Sequence, residues 1–171
     1  IMDNREIKTV LQKIGERVPA GSRLILVGGS ALALLGNMRP TIDIDFVGDD
    51  IRPSKLHQNI LKMAEEFGIY ADVVPLERFI PLPKGSEKRD IHIGQFGNLD
   101  VYVADPYSIA LSKVDRGADT DYDDLLFLVQ NGHVEIGKLE TVLQAALPHV
   151  REFDLEPDIL AHWQELKNRL K

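Results

Sequence analysis

Cysteine is absent from the 171-residue sequence, which excludes disulfides and thiolate metal ligands. A chain without cysteine suits a reducing compartment, and a cytoplasmic location is expected. Long apolar runs are also missing. The longest, at 24–27, 31–35 and 125–129, fall far short of the ~20 residues that cross a bilayer. The polar opening Asp3-Asn4-Arg5-Glu6 does not read as a secretory signal, so no membrane partner is expected. An excess of basic charge is lacking too: 20 Lys and Arg stand against 27 Asp and Glu, for a net charge of −7. That argues against a protein that coats nucleic acid non-specifically. It leaves room for a metal-dependent enzyme acting on RNA or nucleotides, whose carboxylates gather around divalent cations. His57, His92, His133, His149 and His162 show no metal-ligand spacing. No Ser-His-Asp arrangement, nucleophile elbow, internal repeat or low-complexity linker is present.

What is present is ordinary globular material, 44% hydrophobic and 27% charged, enough for one domain with a real core. Ile7, Val10, Leu11 and Ile14 fall at i, i+3, i+4, i+7 and predict an amphipathic helix over 4–17. Residues 23–27 read as a buried strand broken by Gly28-Gly29, with a short helix over 30–35. Over 41–47, Ile42, Ile44 and Phe46 alternate with Asp43 and Asp45, the period of a strand. Ser54 is placed to cap a helix running to about Phe67, and 69–74 is a third strand. Residues 75–89, with three prolines, read as a loop. Residues 90–96 and 99–104 form a hairpin around Gly97-Asn98. Asp105-Pro106 starts the first of four helices, at 106–117, 121–131, 135–147 and 156–170. The expectation is an α/β (α+β) core over 1–105, a mixed sheet flanked by helices, followed by a C-terminal helical subdomain over 106–171, packed as one compact unit.

The chemistry concentrates between Val27 and Phe46. A Gly28-Gly29-Ser30 turn between strand and helix lets backbone N–H groups approach a phosphate, and Ser30 adds a hydroxyl. Alone, such a turn is more often just a tight connection. Asp43 and Asp45, two apart on a strand, emerge on one face about 7 Å apart at the Cα. They can hold Mg²⁺ through oxygen ligands; an isolated Asp-x-Asp is more often the polar face of an edge strand.

The linkage of the two elements is more specific. A Gly-Gly-Ser turn, about ten residues, then Arg39-Pro40-Thr41-Ile42-Asp43-Ile44-Asp45 resembles the opening of the nucleotidyltransferase superfamily, with its polymerase-beta-like fold. In particular it resembles the AbiEii-like toxin nucleotidyltransferases of toxin–antitoxin systems. The resemblance implies phosphate binding at Gly28, Gly29 and Ser30, with Arg39 and Thr41 alongside, and metal binding at Asp43 and Asp45. It also implies a third carboxylate on a later strand. Asp100 is the first candidate, Asp72 a lesser one and Asp90 the least; Asp100 equally reads as a turn cap. Downstream, Lys113, Arg116 and Asp121-Tyr122-Asp123-Asp124-Leu125 resemble a second family segment. There Lys113 and Arg116, three apart on one helix face, are placed to grip a triphosphate. Asp121 falls on a core-directed stripe, where it needs a partner such as Lys113, or it caps its helix. Trp163 reads as helix packing.

The resemblance therefore implies an enzyme using two Mg²⁺ ions, or Mn²⁺, to transfer a nucleoside monophosphate from an NTP, with ATP among the candidates. The acceptor is a hydroxyl of RNA, protein or a small molecule. Asp43, Asp45, Asp100, Lys113 and Asp121 form its implied catalytic set, and a cognate antitoxin is its implied partner. The rival reading is a non-catalytic nucleotide-binding or protein-interaction module on the same fold.

Overall fold

The computed structural model describes residues 1–171. The chain divides into two units, residues 1–75 with 90–104 and residues 76–89 with 105–171.

In the first unit, Asp3 caps α1 (Asn4–Gly15) by accepting the Glu6 N–H at 2.9 Å, and Ile7, Leu11 and Ile14 bury the predicted stripe. β1 (Ser22–Val27) leads directly into α2 (Gly28–Leu34), and β2 (Asp43–Val47) leads to α3 (Lys55–Glu66), capped by Ser54. β3 (Tyr70–Val74) follows, and β4 (Ile91–Phe96) and β5 (Leu99–Val103) form the expected hairpin. The five strands make one mixed sheet in the order β3-β2-β1-β5-β4. β1 pairs antiparallel with β2 and parallel with β5, and β2 pairs parallel with β3.

Register assigns each side chain to a face. Leu24 lies opposite Val101, and Leu26 lies opposite both Val103 and Phe46. These residues and Ile44 are essentially inaccessible to solvent and form the core layer. His57 of α3 packs on that layer, its ring 4.9 Å from that of Phe46. Burial pushes the His57 imidazole below its ordinary pKa, so the ring is held neutral. The other face carries Arg23 beside Asp100, Ile25 beside Tyr102, Val27 beside Asp45, and Asp45 beside Asp72.

Two local expectations change. The strand predicted over 41–47 begins only at Asp43, because Thr41 is tied by an antiparallel bridge to Met2. Ile42 therefore escapes the alternation and is 57% exposed rather than packed with Ile44 and Phe46. Residues 75–89, expected as a loop, contain the short helix α4 (Leu76–Phe79) and a 3-10 turn (Ser86–Arg89). That segment groups with the C-terminal helices and not with the strands on either side of it.

In the second unit, Asp105 caps α5 (Pro106–Arg116), accepting N–H bonds from Tyr107 and Ser108. α6 (Asp119–Gln130), α7 (Ile136–Ala146) and α8 (Ile159–Arg169) all pack against α5. Leu111, Leu125, Leu128, Leu139, Leu143 and Leu166 fill this core. Trp163 is also buried there, as helix packing requires. No helix is long and apolar enough to cross a membrane.

Candidate metal centre

The period of β2 turns Asp43 and Asp45 to the same side, and parallel pairing sets Asp72 of β3 directly opposite Asp45. One carboxylate oxygen from each of Asp43, Asp45 and Asp72 lies within 4.8 Å of the others. Asp43 and Asp45 are half-buried, and Asp72 is exposed. Three carboxylates this close repel one another unless a cation lies between them, and an all-oxygen set suits a hard divalent ion such as Mg²⁺ or Mn²⁺. The Thr41 hydroxyl, itself buried, donates to Asp43 Oδ1 at 3.1 Å and fixes one ligand's orientation.

The glycine turn stands against this cluster. Gly28 has φ +70°, and a Cβ there would lie 2.8 Å from Asp45 Oδ2. A Cβ on Gly29 would lie 2.7 Å from Thr41 Oγ1. The backbone thus approaches Asp45 and Thr41 so closely only because both positions lack side chains. These residues fit a divalent cation flanked by a main-chain phosphate cradle.

Ser30 departs from expectation. It is fully buried, and its hydroxyl faces the Val27 carbonyl at 3.4 Å. It is therefore turned into its own helix, and only its main-chain N–H remains for a phosphate. Arg39 is exposed in the connection between α2 and β2.

Asp100 is not brought to the cluster. It shares the sheet face, but it pairs with Arg23, four residues and about 13 Å along β1 from the Val27 position beside Asp45, and on the opposite neighbour of β1. Its carboxylate is held elsewhere: His92 Nε2 lies 2.5 Å from Oδ1, and the Tyr102 hydroxyl donates to Oδ2 at 3.3 Å. The Arg23 guanidinium stacks 4.5 Å from the Tyr102 ring centroid. Asp72 occupies the place expected of Asp100. In the sequence Asp72 ranked only as a lesser candidate, because its position depends on which strand pairs with β2.

Within the helical unit, Lys113 is 4% exposed, and its ammonium lies 2.8 Å from Asp124 Oδ2 and 3.6 Å from Asp121 Oδ1. Arg116 bonds to Asp121 Oδ1 at 2.6 Å, and Asp121 Oδ2 accepts the Ala118 N–H at 3.2 Å. Asp121 is thus both helix cap and ion-pair partner, combining the two alternatives open from sequence. The expected pair of cations is engaged with carboxylates, and Lys113 could meet a phosphate only by leaving a buried partner.

A five-stranded mixed sheet flanked by helices, with a glycine turn set against paired strand aspartates, is a nucleotidyltransferase-like α+β arrangement. The chain belongs to the family described as nucleotidyltransferase of unknown function (DUF6036), whose model matches residues 4–171. No curated protein and no solved structure gives a significant match.

Proposed function

We propose that the protein transfers a nucleoside monophosphate from an NTP to a hydroxyl acceptor in a reaction dependent on a divalent metal, with Asp43, Asp45 and Asp72 as ligands. The observation that carries this reading is the convergence of three carboxylates within 4.8 Å of one another, in a chain of this family. Bound by these oxygens, one or two Mg²⁺ or Mn²⁺ ions would polarise the acceptor hydroxyl and offset charge on the leaving pyrophosphate. The chain's own groups bind and orient. Main-chain N–H groups of Gly29 and Ser30, at the unbonded start of α2, hold the β- and γ-phosphates, with Arg39 adding charge. Thr41 keeps Asp43 in its ligating orientation. The acceptor oxygen forms a bond to the α-phosphorus. The bond to the bridging oxygen breaks, and pyrophosphate leaves with that electron pair. Asp72, the exposed member of the three, takes the hydroxyl proton. Lys113, Arg116, Asp121 and Asp124 hold α5 to α6 through their ion pairs.

The acceptor belongs to RNA, a protein or a small molecule. The likeness of the Gly28–Asp45 and Lys113–Asp124 segments to AbiEii-like proteins supports a toxin role, held in check by a cognate antitoxin. Incubation with each α-labelled NTP, total RNA and cell protein, with Mg²⁺ or Mn²⁺, is the test. Label transfer is expected from the native chain and is lost, by at least about a hundredfold, in Asp43→Asn and Asp45→Asn. Full transfer by both variants would overturn the reading. Metal-dependent NTP binding without transfer to any acceptor would support the binding-module alternative instead.

A further inference from the structure

The unit formed by residues 76–89 and 105–171 contains a pocket of about 610 Å³ that the proposed reaction does not use. One wall comes from residues 81–84 and Arg89; the other comes from Tyr107, α7 and the turn after it. The volume falls within the range of small-molecule sites. Its surface is mainly apolar, built from Pro81, Leu82, Pro83, Val142 and Ala145. Leu82 keeps 45% of its surface exposed there, apolar area that a ligand would cover.

The charge of the lining is one-sided. Lys84, Arg89, Lys138 and His149 contribute to it, and no aspartate or glutamate does, although the chain as a whole carries a net charge of −7. These cations are not equivalent. Arg89 is clamped in both directions: Nε and Nη2 donate to Asp105 at 2.9 Å each, and Nη1 donates to the Lys84 carbonyl at 2.7 Å. Its guanidinium lies 5.5 Å from the Tyr107 ring centroid, making a rigid wall whose charge Asp105 offsets. Lys138 lies 3.5 Å from Glu135 and His149 lies 2.9 Å from Glu152, both in exposed pairs that solvent weakens. Lys84 is exposed at the rim. Lys84, Lys138 and His149 are therefore the groups able to turn toward a ligand, Lys84 and Lys138 on the longer and more flexible side chains.

We infer that this pocket binds a small organic anion, with an aliphatic or aromatic body on Leu82, Val142 and Ala145 and one acidic group at Lys84 and Lys138. The charge pattern selects an anion over a neutral body of the same shape, and the volume selects a small molecule over a polypeptide. This inference is independent of nucleotidyl transfer, since its test reads binding alone.

The probe is anilinonaphthalene sulfonate, whose fluorescence rises in apolar surroundings, titrated into the full-length native protein. Saturable binding at one site per chain is expected, with displacement by decanoate or decyl phosphate and about tenfold weaker displacement by decanol. The more effective of the two acids identifies the head group as carboxylate or phosphate. Ala145→Trp fills the pocket from an exposed position and is expected to abolish binding. The double variant Lys84→Glu, Lys138→Glu is expected to weaken it about tenfold without changing the melting temperature. Unchanged dye binding in either variant, or equal displacement by decanol and decanoate, would overturn the inference.

Discussion

Gly28 is the residue on which the candidate centre turns. Its backbone is left-handed at φ +70°, and the space for a Cβ is taken by Asp45 Oδ2 at 2.8 Å. Gly28→Ala therefore combines backbone strain with a clash against a ligand, and a loss of about 1–2 kcal/mol of stability is expected. Mg²⁺ binding should suffer more than folding does. Urea denaturation and calorimetric Mg²⁺ titration of the same variant measure the two losses separately; lost stability with unchanged Mg²⁺ affinity would mean that the glycine serves only the turn. Much of this site was legible because its parts are local. Asp43 and Asp45 follow from a two-residue period, and the Gly28–Ser30 turn lies only a short connection upstream. Asp72 was ranked below Asp100 because strand order is not written in any short stretch. Both are aspartates among β-formers, and only the parallel pairing of β3 with β2 separates them. The Ser30 hydroxyl misled for a related reason. A serine after two glycines reads as a phosphate donor until helix packing shows that it points inward.

At the scale of elements, α5 and α6 are joined by charge as well as by leucines. Lys113, Asp121 and Asp124 are each at most 4% exposed, so removing the ammonium leaves two carboxylates facing each other without it. Lys113→Met is expected to cost about 3–5 kcal/mol, and adding Asp124→Leu should restore part of that loss. Denaturant midpoints of the single and double variants check this; additive losses would show that the pair is not coupled. The helix itself was readable from Asp105-Pro106, a cap followed by the one residue that lacks an N–H. That Asp105 also binds Arg89 through both oxygens was not readable. Arg89 lies in a proline-rich stretch with no periodic signal, and nothing local ties it to a helix cap 16 residues on. The same stretch hid α4 and the buried Ile80. Four-residue helices are too short to declare a period.

For the molecule as a whole, the alternation of strands and helices was enough to anticipate a mixed sheet followed by a helical region. The cap at Asp105 marks the start of the first long helix of the second unit. The assignment of 76–89 to the helical unit was not legible, because it is a property of tertiary contacts. A chain ended at Ala104 keeps all five strands but none of α5–α8, which belong with residues 76–89. Limited proteolysis should cut that fragment within 76–89 while the full-length chain resists there. Equal resistance in both would show that the segment needs no helical partner.

The placement of this segment also sets an order of events during synthesis. Arg89 leaves the ribosome before Asp105, the carboxylate that receives it, has been made. β4 emerges next, but in the sheet it is separated from β1 by β5, which is made last. The sheet therefore cannot close until Val103 has been translated. The first unit waits on its final strand while it trails a segment whose partners lie still further along the message. Apolar surface of the first unit therefore stays uncovered until its last strand has been made, after the segment 76–89 that belongs with the second unit.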